Sequence, residues 1–217
     1  QKMSSLGYST SVVNWFKCYL SKRKFMVNIN DKLSTPGDLT CGVPQGSILG
    51  PLLFLLYVND MEQSVDSNLL LYADDSCIFF QNKDVKIIEE QLNKDFSNIC
   101  DWFIDNKLSI HFGDDKTKSI LFGNKRRIKT AEKLNIRYNH MEIKQHSNVC
   151  YLGCTLNESL SGDPMGLNVL RKINSKLRFL YRNKKALSPS SKRLLCNSLI
   201  QPHFDYAILV PKSYRVN

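Results

Sequence analysis

The chain has 217 residues, is 42% hydrophobic and carries 30 Lys and Arg against 20 Asp and Glu, a formal net charge of +10. That length supports one sizeable core with a small appended domain, and the basic balance favours a polyanionic partner such as nucleic acid. A membrane partner is not expected, because the most apolar run, Ile48 to Val58, is well short of the roughly 20 residues that span a bilayer.

The first residue is Gln1, and residues 1–6 lack the apolar stretch of a signal peptide, so an N-terminally truncated fragment is expected. Tyr8 to Leu20 has a helical apolar period (Val12, Val13, Phe16, Leu20), with Ser9 or Ser11 as cap. Phe25 to Ile29 alternates as a strand, Asp31 and Pro36-Gly37 mark turns, and Leu39 to Val43 reads as a returning strand. Gly42 to Gly46 is a loop, and Ser47 opens an apolar helix towards Asn59. Leu69–Tyr72 and Cys77–Phe80 flank Asp74-Asp75 as two strands flank a tight turn. Asp84 caps a long helix whose apolar face is Ile88, Leu92, Phe96, Ile99 and Phe103.

Further along, Ile110 and Ile120 to Phe122 are expected as strands and Lys125-Arg126-Arg127 as a basic turn, with a nuclear address as its alternative. Val149 to Leu156 reads as extended. His146, Cys150 and Cys154 invite a zinc site, but a spacing of four along a strand separates side chains by roughly 13 Å, too far for thiolates at about 2.3 Å from one ion. Seven cysteines, none in a CxxC pair, fit a reduced intracellular setting better than a disulfide scaffold. Residues 160–164 form a linker. Beyond it lie a helix with Val169, Ile173, Leu177 and Leu180 on one side, and another opened by Ser188 and Pro189. From Arg171 to Arg193 there are nine Lys or Arg and no acid.

Asp74 and Asp75 carry the most chemistry. Adjacent carboxylates among Leu69, Leu70, Leu71, Ile78, Phe79 and Phe80 repel each other and are costly to desolvate. A turn relieves this by exposing them, and a hard divalent cation such as Mg²⁺ relieves it further. A solvated Asp-Asp turn is the bland alternative. Taken alone, Pro44-Gln45-Gly46 is an ordinary turn, Lys116 a surface lysine, Tyr151 a strand core residue, and Asp114-Asp115 a solvated loop. The dense positive stretch after Arg171 disfavours a helix unless something screens it, and a phosphate backbone would do so.

Tyr72-Ala73-Asp74-Asp75 resembles the YxDD box of reverse transcriptases, in the YADD form of non-LTR retrotransposon and group II intron enzymes. The run Gly42-Val43-Pro44-Gln45-Gly46-Ser47-Ile48-Leu49-Gly50-Pro51-Leu52-Leu53-Phe54 resembles the family's motif B, and Asn59-Asp60-Met61 its usual ending. Asn106-Lys107-Leu108-Ser109 with Lys116-Thr117-Lys118 resembles motif D, although His111-Phe112-Gly113 replaces the usual asparagine-containing turn. Tyr151-Leu152-Gly153-Cys154-Thr155-Leu156 resembles the primer-grip element, and Ile200 to Ala207 the family's late helix. The resemblance runs from about Leu6 to Tyr206.

It implies an α+β right-hand palm, an antiparallel sheet with helices on one face, over residues 1–157 with motifs B to E, followed by a helical thumb over residues 163–217, the fingers missing. It implies RNA-templated DNA synthesis by two-metal nucleotidyl transfer in a LINE-like element, with an RNA template, a DNA primer and deoxynucleoside triphosphates as partners. Asp74 and Asp75 would hold two Mg²⁺ ions roughly 4 Å apart in the complete enzyme. Lys116 would act beside the pyrophosphate. Gly42, Pro44, Gln45 and Gly46 would meet nucleotide or template, and Tyr151, Leu152 and Gly153 the primer. Arg171, Lys172, Lys176, Arg178 and Arg182 would meet the phosphate backbone. The third carboxylate, from motif A, is expected on a strand before Leu6, so the fragment alone is expected to be inactive. A nuclear location is expected for the parent element. A viral RNA-dependent RNA polymerase would show Gly-Asp-Asp at the turn, and a non-catalytic nucleic-acid-binding remnant is the alternative from another class. The oligomeric state stays open.

Overall fold

A computed structural model describes residues 2–39, 42–44, 46–113 and 116–206. The chain forms two compact units, Gln1–Phe79 and Phe80–Asn217.

In the first unit, α1 (Lys2–Ser5) precedes α2 (Thr10–Leu20). Ser9 occupies the cap position of α2 without making the expected cap bond; its hydroxyl lies 3.0 Å from that of Ser11 instead. Residues 24–38 turn back on themselves, but not as one strand. Lys24–Phe25 (β1) pairs with Gly37–Asp38 (β4), while Asn28–Ile29 (β2) pairs with Lys32–Leu33 (β3), all antiparallel. The turn at Asn30 and Asp31 has φ of 49° and 63°, a left-handed pair that asparagine and aspartate tolerate. The ladder breaks in between because Pro36 has no N–H to give and the Ser34 hydroxyl, not a strand carbonyl, receives the Val27 N–H. The returning strand is Gly37–Asp38; of the expected strand Leu39 to Val43, Leu39, Gly42 and Val43 are irregular chain, and residues 40–41 lie outside the described residues. The Phe25 ring lies over Gly37, 2.7 Å from where a Cβ would stand, and would have to swing aside for any larger residue.

The apolar helix α3 (Leu49–Val58) buries Gly50, Leu53 and Val58 and runs into a 3₁₀ turn, Asn59–Ser64, that buries Met61. Lys2 clamps its end: the ammonium reaches the Tyr57 carbonyl and the Asp60 carboxylate, each at 2.7 Å, and lies 4.6 Å from the Tyr57 ring centre. The unit closes with the hairpin β5 (Asn68–Tyr72) and β6 (Asp75–Phe79).

The second unit opens with α4 (Val85–Asp105). Asp84 caps it as expected, accepting the Lys86 N–H at 2.9 Å. Ile88, Phe96, Ile99 and Cys100 are buried along one stripe, the spacing of a helix packed on a core. The expected strands at Ile110 and 120–122 do not form; the segment makes a single parallel bridge, Ser119 to Gln145, and Leu121 enters the core as irregular chain. The expected basic turn is a short helix, α5 (Lys125–Thr130), capped by Asn124, whose side chain accepts the Arg126 N–H. Next come the hairpins β7 (Ile136–Tyr138) with β8 (Met141–Ile143), and β9 (Asn148–Tyr151) with β10 (Cys154–Asn157). The helices α6 (Asp163–Arg182), α7 (Pro189–Leu199) and α8 (Gln201–Asp205) complete it. Ser188 caps α7 as expected, accepting the Ser191 N–H at 3.1 Å.

The helix α4 packs on β7, α6 on β10, and α8 on α6 and α7. The chain is thus of mixed α+β class. In place of one antiparallel sheet, the described residues hold five separate two-stranded antiparallel ladders.

Candidate active site

The pairing Tyr72↔Asp75 leaves a two-residue loop, Ala73-Asp74, between β5 and β6. Inward residues Leu69 and Leu71 are half-buried and Leu70 and Tyr72 exposed, the alternation of a strand with one covered face. Ala73 has φ 53°, a left-handed conformation that costs a non-glycine residue about 1 kcal/mol. The turn lifts Asp74 beyond the strands and sets Asp75 at the first position of β6; both carboxylates are exposed. Exposure lets water screen the repulsion between the two neighbouring groups. Mg²⁺ is characteristically held by one or two carboxylates with waters and substrate phosphates, and this pair fits that donor set. Among the described residues no three His, Cys, Asp or Glu side chains gather into a larger cluster. Cys150 pairs with Thr155 and Cys154 with Tyr151, so the two thiols face opposite sides of their hairpin, against a zinc site.

In the loop before α3, Gly42 and Gly46 have φ of 82° and 78° with nothing within 4 Å of where a Cβ would stand. Glycine is needed there for backbone conformation, and the space beside it is open. Pro44 is half-buried, and Gln45 lies outside the described residues. Ser47 ties the loop to the helix: its hydroxyl donates to the Pro44 carbonyl at 2.8 Å and accepts the Gly50 N–H at 3.0 Å. This is the expected cap. Gly50 has its own reason, which sequence reasoning left out: a Cβ there would meet Ser47 Oγ at 3.0 Å and the Pro44 carbonyl at 3.1 Å. From α2, the Tyr19 phenol also bonds Ser47, which together with Arg23 holds its pKa below the usual value. Tyr19 is stacked on Trp15 with ring centres 5.7 Å apart, and the Arg23 guanidinium sits 4.8 Å from the Tyr19 ring centre.

In the second unit, Lys116 is exposed in a loop closed by its own N–H to the Gly113 carbonyl and by Thr117 Oγ1 to the His111 carbonyl at 2.7 Å. Phe112, the departure from the family's motif, anchors this loop: its ring lies 6.2 Å edge-on from Phe96 and 6.5 Å from Tyr138, stacked. Asp114 and Asp115 lie outside the described residues. Tyr151, Leu152 and Gly153 meet at the β9–β10 turn, with Tyr151 and Leu152 half-buried and Gly153 exposed. Tyr206 donates a hydrogen bond to the Leu152 carbonyl.

The five basic residues expected on the first thumb helix divide. At about 100° per residue, positions 7 and 11 onward return to within about 20° of the start, so Arg171, Arg178 and Arg182 form one exposed stripe on α6. They share this exposed face of α6 with Asn174, Ser175, Phe179 and Asn183. Lys172 is exposed but about a quarter-turn away. Lys176 is half-buried on the side of Ile173 and Leu180, the helix's buried face, where a lysine stem covers apolar surface.

The family profile described as Reverse transcriptase (RNA-dependent DNA polymerase) matches residues 1–156. The chain belongs to the reverse transcriptase family. Curated relatives of this reverse transcriptase chain include the "Probable RNA-directed DNA polymerase from transposon X-element" of Drosophila melanogaster, 26% identical over 198 residues, 88% of this chain and 21% of that protein. The "RNA-directed DNA polymerase from mobile element jockey" of the same organism is 25% identical over 205 residues, 89% of this chain and 22% of that protein. The "Probable RNA-directed DNA polymerase from transposon BS", also of Drosophila melanogaster, is 26% identical over 207 residues, 89% of this chain and 22% of that protein. The reverse transcriptase chain therefore spans about a fifth of the length of these relatives. No solved structure matches it.

Proposed function

We propose that residues 1–217 supply the metal-holding turn, the nucleotide loop and the primer-gripping hairpin of a LINE-like RNA-directed DNA polymerase that copies RNA into DNA during retrotransposition. The observation that carries this reading is the pair Asp74-Asp75 at the tip of an apolar hairpin, in a chain with the complete Gly42–Phe54 motif. Asp74 is the principal ligand for Mg²⁺ and Asp75 the second, with two ions in the complete enzyme. When bound, the ions activate the attacking 3′-hydroxyl and offset charge on the departing pyrophosphate.

The chain's own groups bind and orient. Gly42 and Gly46 let the nucleotide or template approach the loop backbone closely, Pro44 lies in the same nucleotide- or template-binding loop, and Gln45 touches the nascent base pair. Lys116 stands beside the pyrophosphate, donating a proton or offsetting charge. Tyr151, Leu152 and Gly153 seat the primer strand. Arg171, Arg178 and Arg182 hold the phosphate backbone of the template–primer duplex, fork-like groups suited to phosphate.

The test is primer extension on an RNA template, with deoxynucleoside triphosphates and Mg²⁺, by the polymerase that contains this chain. Asp74→Asn is expected to lower incorporation by about a thousand-fold, since several kcal/mol of charge stabilisation depend on the bound ions. Incorporation indifferent to that substitution overturns the catalytic reading. The isolated chain is expected to bind template–primer without extending it, because two adjacent carboxylates are too few ligands for two ions; extension by the isolated chain refutes that part. The second reading, a nucleic-acid-binding remnant, draws on the net charge of +10 and the arginine stripe. It predicts binding with no incorporation in any form of the protein.

A further inference from the structure

The β9–β10 turn is built from residues that do not favour its shape. Leu152 and Gly153 form a two-residue loop with φ of 46° and 76°, the left-handed pair for which Asn-Gly or Asp-Gly is preferred. A leucine there is strained. Something outside the turn must therefore help hold it. Tyr206, 54 residues on and immediately after α8, supplies two contacts. Its hydroxyl donates to the Leu152 carbonyl. Its ring lies 3.4 Å from where a Cβ on Gly153 would stand, ordinary contact distance, so it packs against the turn while Gly153 is required for its φ.

The return strand of the hairpin is held from the same helical region, close to the turn. Asn168 on α6 donates to Thr155 Oγ1 on β10 at 2.8 Å, and α8 packs on α6. The hairpin tip is thus tied to the helices at Leu152 and its return strand at Thr155.

We propose that Tyr206 is a positioning residue for the primer terminus: it fixes the Leu152-Gly153 turn against the helices that follow, so that the turn presents one conformation to the DNA end. This rests on the reading of Tyr151, Leu152 and Gly153 as the primer-gripping element. Tyr206 itself touches no reacting atom; it acts through the turn.

The test uses the 217-residue chain and an RNA-template, DNA-primer duplex carrying 5-iododeoxyuridine at the primer 3′ end. Irradiation and peptide mapping by mass spectrometry report which residues lie at that terminus. The unaltered chain is expected to cross-link within residues 148–157. Tyr206→Phe, which keeps the ring and removes the hydroxyl, is expected to bind the duplex with the same midpoint and to melt no more than about 4 °C lower, the most that one neutral hydrogen bond accounts for. Its cross-link yield at that hairpin is expected to fall about five-fold, the population change that one lost neutral hydrogen bond produces. Gly153→Ala, which strains the turn at its left-handed φ, is expected to lower the yield likewise.

An unchanged yield in Tyr206→Phe overturns the positioning role while leaving the primer-grip reading intact. A lowered yield matched by weaker duplex binding, or by a melting temperature lowered by more than about 4 °C, also overturns it, since that marks a general structural role. If the unaltered chain fails to bind the duplex, or cross-links only elsewhere, the primer-grip reading falls and this inference with it.

Discussion

Lys107 shows how a motif position is also a mechanical part. The N–H of Leu108 bonds the Phe103 carbonyl and that of Lys107 the Ile104 carbonyl, the paired bonds of a Schellman helix stop. Lys107 takes the left-handed position, φ 54°, where glycine is ordinarily found. The Asn106-Lys107-Leu108 segment therefore terminates α4 and launches the Lys116 loop. Lys107→Gly is expected to raise stability by about 0.5–1 kcal/mol by removing the left-handed strain, read as a shift in the urea midpoint. Cysteine chemistry gives a second residue-scale check. Cys100 is 2% exposed and burial pushes its thiol pKa up to about 12, whereas Cys18 and Cys150 are exposed. The thiolate is the reactive form, so iodoacetamide at pH 8 is expected to alkylate Cys18 and Cys150 and spare Cys100 in the folded chain. Peptide mass spectrometry checks this, and early labelling of Cys100 contradicts it.

At the scale of elements, α4 is held to β7 by side chains that complete the strand's edge. Asn93 accepts the Arg137 N–H at 2.9 Å and donates to the Asn135 carbonyl at 2.9 Å, while Glu89 accepts the Asn135 N–H at 2.8 Å. A helix thereby does for β7 what another strand would. Asn93→Ala is expected to destabilise the chain by about 1–2 kcal/mol, the cost of leaving two backbone groups to partial hydration, measured by thermal or urea unfolding. Nothing in the sequence marks Asn93, because its value lies in a strand that is 42 residues away. Other elements were legible for local reasons. The long period of α4 and the apolar runs beside Asp74-Asp75 each specify their own geometry. Three-residue strands such as Ile136–Tyr138 carry too little alternation to be read, and their turn rests on Asn139 at φ 53°. The helix α5 is six residues long with almost no apolar period, so only its Asn124 cap could have announced it. In the site, the carboxylate pair and the glycine loop were readable from residue type. Tyr206 and Phe112 were not, since each acts by contact with a distant segment.

For the whole molecule, the net charge of +10 favours a polyanionic partner but does not say where one would bind. The helix α6 offers a way to separate general from placed charge. Arg171, Arg178 and Arg182 are spaced along one stripe with rises of about 10 and 16 Å from the first, distances a nucleic-acid strand spans in a few phosphates. Lys172 and Lys176 carry equal charge at neighbouring positions but off that stripe, Lys176 half-buried against the core side. If only total charge mattered, replacing two lysines or two arginines would weaken binding alike at every salt concentration. If the stripe tracks a backbone, each arginine releases condensed counterions on binding. The slope of log affinity against log salt should then lose about 0.9 per arginine removed on duplex DNA. Arg178→Ala with Arg182→Ala is accordingly expected to flatten the slope by nearly two, and Lys172→Ala with Lys176→Ala by well under one. Fluorescence anisotropy of a labelled duplex across a salt series measures both. Equal flattening in the two double variants would mean that the helix contributes charge without a register, and that the backbone contacts lie on another surface of the chain.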